Sequence, residues 1–222
     1  MNNPSVLTPT RSIEQSASSL KVLRNTYTLL SLTLLFSAIT AATSMLLALP
    51  HPGILLTLAG YFGLLFLTAK FRNSSTGLVM VFALTGFMGY TLGPILNSYL
   101  SLANGSQIIM MAMASTAVIF LSLSAYVHLS GKNFNFMGNF LMVGIIVAFL
   151  TGLAALFFEM PGLSLAVSAM FVLLMAGLIL FETSNIIHGG ETNYIMATVT
   201  LFVAIFNLFT SLLHLLGFAN SD

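Results

Sequence analysis

Apolar residues run through this chain in long unbroken blocks, not in the alternating or one-sided patterns of elements that face water. A helix crossing a bilayer needs about 20 mainly apolar residues. Seven blocks meet or approach that length: Thr26–Leu49, Gly53–Ala69, Thr76–Tyr99, Ile108–Leu129, Met137–Phe158, Ser164–Ile187 and Tyr194–Phe218. The second is the shortest. The connections between blocks are brief, so neighbours in sequence are expected to pack as antiparallel neighbours in space. The pattern predicts an all-α integral membrane protein of seven transmembrane helices. It divides into a polar N-terminal tail over residues 1–21, a seven-helix domain over 22–219 and a short end at 220–222.

Composition excludes the alternatives. The chain is 58% hydrophobic and 5% charged, against about 25% charged residues in an ordinary soluble domain. Eleven formally charged side chains cannot clothe a water-soluble surface, so the solvent is a lipid bilayer. The net charge of +1 comes with no basic stripe and no zinc-type spacing, and no nucleic-acid partner is expected. The absence of cysteine removes disulfides, thiolate metal sites and thiol nucleophiles. The first 20 residues are polar, and the run that follows is too long for a signal-peptide core of about 7–15 residues.

The basic residues add a sidedness. Arg11, Lys21 and Arg24 precede the first block, Lys70 and Arg72 lie between the second and third, and Lys132 lies between the fourth and fifth. All six fall on one side of a seven-span chain, while the loops around His51, Leu102–Gly105 and Met160–Leu163 carry no Lys or Arg. The positive-inside rule puts the N-terminus in the cytoplasm and the C-terminus outside. Tyr27, Tyr99, Tyr126 and Tyr194 fall near block ends, where amphipathic rings settle at the interface. Seven helices also suit a retinal protein, but Lys21, Lys70 and Lys132 all lie in tails or loops, so no buried amine could form a Schiff base.

Polar groups inside the blocks are the candidates for chemistry. Glu182 is the acidic residue well within a span, close to the cytoplasmic end of the sixth. A carboxylate at bilayer depth costs about 2.5–3.5 kcal/mol on insertion scales and faces the bundle interior or water. It reads as an ion or proton site, or as a hydrogen-bonded Glu joining helices. In the seventh block, Thr200, Ala204, Asn207, Ser211 and His214 follow at spacings of four, three, four and three, which puts them on one helix face. That stripe reads as a polar pathway or as glue between helices, and Ala204 is a gap in it. In the third block Gly86, Gly89 and Gly93 share one side, a pattern that permits close helix approach. Pro94 cannot donate to the carbonyl of Tyr90, which predicts a kink at Gly93 and Pro94. Gly60, Gly63 and Gly144 carry the same close-packing expectation.

The segment "HGGE" after the sixth block reads as a tight turn. Gly189 and Gly190 suit a left-handed helix end, and Thr192 suits the cap of the next helix. His188 and Glu191 lack the HExxH spacing of a zinc hydrolase, and no serine is singled out beside a base. No enzyme, metal or cofactor is expected.

The stretches "KVLRNTYTLLSLTLLFSAIT", "GFMGYTLGPILNSYL", "LFETSNIIHGGETNYI" and "LFVAIFNLFTSLLHLLG" closely resemble the Bax inhibitor (TMBIM) family, above all its bacterial YccA-like branch. The likeness covers nearly everything after about residue 20. It implies a bundle whose last helix is central and wrapped by the other six, in a bacterial inner membrane with the C-terminus periplasmic. Some family members are pH-sensitive calcium leaks built on an acidic pair, one acid on each of the last two helices. Glu182 matches the first position, and Ala204 stands where those members have Asp. The YccA-like branch is associated instead with the FtsH-type membrane-bound AAA protease, as substrate and modulator. The resemblance therefore implies two functions: a protease modulator, for which the polar tail would be the handle, or a leak for calcium or protons.

Overall fold

Uninterrupted apolar sequence in lipid leaves the backbone one economical solution, since a helix satisfies its own N–H and C=O groups where no water can. The computed structural model describes residues 9–220, with side chains from Ala17 on, and it takes that solution throughout. The α-helices are α1 (Pro9–Leu46), α2 (Ile54–Lys70), α3 (Ser75–Leu100), α4 (Gly105–Ser130), α5 (Gly138–Phe157), α6 (Pro161–Ile187) and α7 (Tyr194–Ala219), with one 3₁₀ turn at Asn135–Met137 before α5. Six are long and apolar enough to cross a membrane; α2 is the shorter apolar helix, with 17 residues. At about 1.5 Å per residue α2 reaches about 25 Å, less than the roughly 30 Å hydrocarbon core.

Helix ends differ from the block ends for local reasons. α1 stops at Leu46, and the chain turns through Ala48, whose φ of 48° is left-handed. α6 starts three residues earlier than its apolar block because Pro161 sits in its first turn, where a missing N–H costs nothing. Of the expected polar tail, residues 1–8 lie outside the described residues, as do 221 and 222 at the other end. From Pro9 onward the chain is already α1.

Apolar side chains such as Phe202, Leu84 and Ile179 fill the interior, but others also coat the outside, and hydroxylated residues are buried among them. Leu55, Leu129 and Leu173 are 82%, 84% and 74% exposed, whereas Thr26, Thr33, Thr85 and Thr198 are fully buried. Large side chains face the acyl chains, and small hydroxylated residues let helices approach one another. α7 packs against α1, α3, α4 and α6, while α2 leans on α3, and α5 on α6 and the 3₁₀ turn. The expected wrapping of α7 by six helices is thus seen as close packing by four, with α2 and α5 in an outer position.

The tightest interface joins α1 to α3, on the glycine face foreseen in the sequence. A Cβ on Gly86 would stand 2.7 Å from the Phe36 ring, and one on Gly93 2.5 Å from the Ser44 hydroxyl. A Cβ on Gly89 would run into Thr40 and the Ser37 carbonyl. α3 continues as one helix through Pro94, and the Ser44 hydroxyl donates to the Tyr90 carbonyl at 2.9 Å. Gly60 and Gly144 also sit under large neighbours, Phe87 and Leu174. Gly63 does not: a Cβ there would meet nothing within 4 Å, so the close-packing expectation fails at that position.

Candidate functional site

The HGGE segment is more than a turn, because it ties three connections together at one end of the bundle. Gly189 has a φ of 75° and closes α6 in the left-handed region. Gly190 is needed for space, since a Cβ there would strike the Asn185 side chain. The cap of α7 is Asn193 and not Thr192: helix geometry begins at Tyr194, so the residue before it holds the capping position. Asn193 Oδ1 accepts from the N–H groups of Ile195 and Met196, both at 3.0 Å. Its Nδ2 donates to the Arg72 carbonyl at 3.0 Å and to Asn73 Oδ1 at 2.8 Å, reaching the α2–α3 connection. The Ser184 hydroxyl accepts from the Phe134 N–H at 2.8 Å, and His188 Nε2 lies 3.2 Å from the Gly131 carbonyl, reaching the α4–α5 connection. The half-buried Glu191 carboxylate accepts from the Asn193 N–H.

This end is also the basic one. Arg72 and Lys132 lie in the connections just named. Lys21 and Arg24 lie beyond Thr26 and Tyr27, which meet Thr198 and Thr183 near the facing ends of α7 and α6. The opposite end is held by other contacts. The Tyr90 hydroxyl donates to the Pro50 carbonyl at 2.8 Å, and Asn97 Nδ2 to the Met45 carbonyl at 3.0 Å.

Glu182 is buried at 4% exposure, about two helical turns before the Gly-Gly turn. Its Oε1 has no hydrogen-bond partner among the described residues, and neither does the buried hydroxyl of Thr26. No helix-joining hydrogen bond is made at that oxygen. The contact that does link α1 and α6 nearby is the Tyr27 hydroxyl against Thr183 Oγ1, at 3.5 Å.

The α7 stripe divides into three parts. Thr200 and Asn207 line a cavity between α2 and the α5–α7 face. Each donates to its own helix, Thr200 to the Met196 carbonyl at 3.1 Å and Asn207 to the Val203 carbonyl at 2.8 Å, so neither glues helices. Ala204 is fully buried among Leu174, Met175 and Ile179 of α6 and Leu208 of its own helix. Ser211 is buried. His214, about a turn and a half from the far end, meets the Ser168 hydroxyl of α6 at 2.8 Å beside a hollow of about 310 Å³ lined also by Tyr99 and Gly217. That is a serine next to a base, which spacing did not reveal. Ser168 also donates to the Ser164 carbonyl at 3.0 Å and is largely buried, which is the geometry of an interhelical tie. The structure therefore brings Thr200 and Asn207 together at one cavity, whose lining includes neither Glu182 nor His214.

Comparison with known proteins fixes the lineage. The family model described as "Inhibitor of apoptosis-promoting Bax1" matches residues 20–221. The chain belongs to the Bax inhibitor family. Bax-inhibitor sequence thus covers α2 to α7 whole and α1 from residue 20. Among relatives, the chain is 57% identical over 202 residues to "Modulator of FtsH protease YccA" of Escherichia coli (strain K12), covering 91% of this chain and 92% of that one. It is equally similar to "Inner membrane protein YccA" of Escherichia coli O6:H1. It is 44% identical to an "Uncharacterized membrane protein" of Vibrio cholerae over the full length of both chains. This Bax-inhibitor chain is a membrane protein with transmembrane helices. Its family segments map onto the elements described above: the α1–α3 glycine interface, the clamped turn with Asn193, and the buried face of α7.

Proposed function

We propose that this chain is a multi-pass inner-membrane protein that binds a membrane-bound AAA protease of the FtsH type and modulates its turnover of other membrane proteins. The observation that carries this reading is the 57% identity, over nine-tenths of both chains, to a relative named as a modulator of that protease. In this reading α2 joins the six longer helices as a seventh span. The basic end, with Lys21, Arg24, Lys70, Arg72 and Lys132, faces the cytoplasm, and the C-terminus is periplasmic. The clamped turn at Asn193 and His188 then lies on the cytoplasmic side, with the basic residues. The protein acts as a slowly processed occupant of the protease, and the N-terminal segment is the handle by which it is engaged. Affinity purification of the tagged chain from bacterial inner membranes tests the partnership. The protease should co-purify in near-stoichiometric amount when its proteolytic site is inactivated, and its absence from the eluate would contradict the reading.

A second reading, a pH-sensitive leak for calcium or protons, is favoured by one observation: a buried carboxylate, Glu182, with an oxygen that no described group satisfies. Against it stands the apolar packing of Ala204, where the resemblance implies an acid in the family's leak proteins.

A further inference from the structure

α2 is the least embedded helix. Of its 17 residues only Thr68 is buried, and its main packing partner in the protein is α3. Between it and the facing surfaces of α5, α6 and α7 lies a cavity of about 830 Å³. Tyr61, Leu65 and Ala69 form one wall, Phe149 and Phe171 the other, and α7 the floor. Phe62 of α2 and Phe149 of α5 meet edge to face, with ring centroids 5.7 Å apart, and bridge the gap on the outside.

Three features select what occupies this space. The first is chemistry. The lining is overwhelmingly carbon; Thr57, Thr91, Thr200 and Asn207 each donate to a carbonyl three or four residues earlier, and Tyr61 adds one hydroxyl. A water placed there would find few partners, and apolar cavities stay dry. The second is length. From Ala69 to Thr57 on α2 is about 18 Å, and from Met196 to Asn207 on α7 about 16 Å, at 1.5 Å per residue. One leaflet of hydrocarbon is about 15 Å deep, half of the roughly 30 Å core. The third is charge. Ala69, at one limit of the cavity, immediately precedes Lys70, and Arg72 follows two residues later, so this mouth carries more positive than negative charge even with Glu191 nearby.

We infer that the cavity between α2 and α5–α7 holds one acyl chain of an anionic phospholipid drawn from the leaflet at the basic end, its phosphate paired with Lys70 and Arg72. The chain enters between α2 and α5, beside the edge-to-face contact of Phe62 and Phe149. The bound lipid then serves as the packing partner that α2 lacks in protein. Arg72 offers its carbonyl to Asn193 Nδ2, so lipid bound at this mouth also steadies the clamped turn. The inference requires the chain to sit in a bilayer and is independent of the protease reading.

Native mass spectrometry of the chain purified in mild detergent from mixed anionic and zwitterionic lipid tests this. One phospholipid should remain bound per protein, with the anionic class enriched at least fivefold over the supplied mixture. Lys70→Gln with Arg72→Gln, outside the packed interior, should still retain one lipid but lose the enrichment. Thr200→Phe, which fills the floor, should lower retention of any lipid at least fivefold. Because the chain has no tryptophan, Phe149→Trp gives a unique reporter. Anionic lipid brominated on its acyl chain should quench it saturably, while Leu173→Trp on the outer face should be quenched only in proportion to bulk lipid. Retention of zwitterionic lipid or detergent at equal occupancy, or quenching at Phe149→Trp that matches Leu173→Trp, would overturn the inference. Should Thr200→Phe fail to fold, the charge variant and the quenching comparison decide it.

Discussion

The Ser44 hydroxyl of α1 donates at 2.9 Å to the Tyr90 carbonyl of α3, the acceptor that Pro94 leaves without its helical donor. A helix N–H bonds the carbonyl four residues earlier, and residue 94 has none. In lipid no water would replace it. α1 therefore supplies from outside what α3 lacks, and Gly93 makes the approach possible, since a Cβ there would stand 2.5 Å from that same hydroxyl.

The pairing predicts a coupling. Ser44→Ala should cost about 1 kcal/mol, the scale of an interhelical hydrogen bond whose loss strands an acceptor. In a Pro94→Ala background, residue 94 donates to Tyr90 itself, and Ser44→Ala should cost close to nothing. Reversible unfolding of the four variants in mixed micelles measures the cycle. Equal cost in both backgrounds would show that the hydroxyl serves something other than Tyr90.

Two glycines that look alike in the sequence should behave oppositely. Gly89→Ala pushes a Cβ into Thr40 and the Ser37 carbonyl, and overpacking against backbone costs about 1–3 kcal/mol. Gly63→Ala meets nothing within 4 Å, so its effect should lie between zero and the gain of about 1 kcal/mol that Ala brings to a helix. Thermal melts in detergent compare them, and a destabilised Gly63→Ala would mean that α2 sits closer to a neighbour than it does here.

These contrasts show where sequence reading ends. Six helices and the apolar α2 were legible because apolar blocks dictate helices in lipid. Hydropathy does not say what faces what: Leu65 and Phe149 are as apolar as the residues of any tight interface, yet they line a cavity. Helical period put Thr200, Asn207 and His214 on one face, but only the neighbours reveal that α2 leaves the first two open while α6 supplies Ser168 to the third. Pro94 announced an orphaned carbonyl at Tyr90, and nothing local announced its donor on α1. The cap was misplaced by one residue, at Thr192 in place of Asn193, because both are good capping types and the first helical residue decides between them.

Orientation is open to direct labelling. The chain has no cysteine, and Ser74 and Ser101 are both exposed, at opposite ends of α3. In intact cells Ser101→Cys should react with an impermeant maleimide, and Ser74→Cys should react only after the membrane is opened. The reverse pattern would invert the bundle and put the Asn193 turn outside.

The buried acid makes a separate prediction. In calcium-loaded liposomes the wild type should pass little calcium, and Glu182→Gln, which keeps shape while removing charge, should remove whatever flux there is without loss of folded protein. Ala204→Asp buries an acid among Leu174, Met175 and Ile179. It should lower the yield of folded chain, in line with a cost of about 2.5–3.5 kcal/mol for a charge at depth. Strong wild-type flux that survives Glu182→Gln would assign conduction to another residue.

Restraint of a membrane protease is the activity proposed for this protein. Its most direct test is degradation of a membrane-protein reporter by purified FtsH-type protease in proteoliposomes, with and without equimolar amounts of this chain. Reporter turnover should fall severalfold while the chain itself is degraded slowly, and hydrolysis of a soluble unfolded reporter should fall in parallel. Unchanged reporter turnover, with the chain intact and folded in the same vesicles, would contradict it.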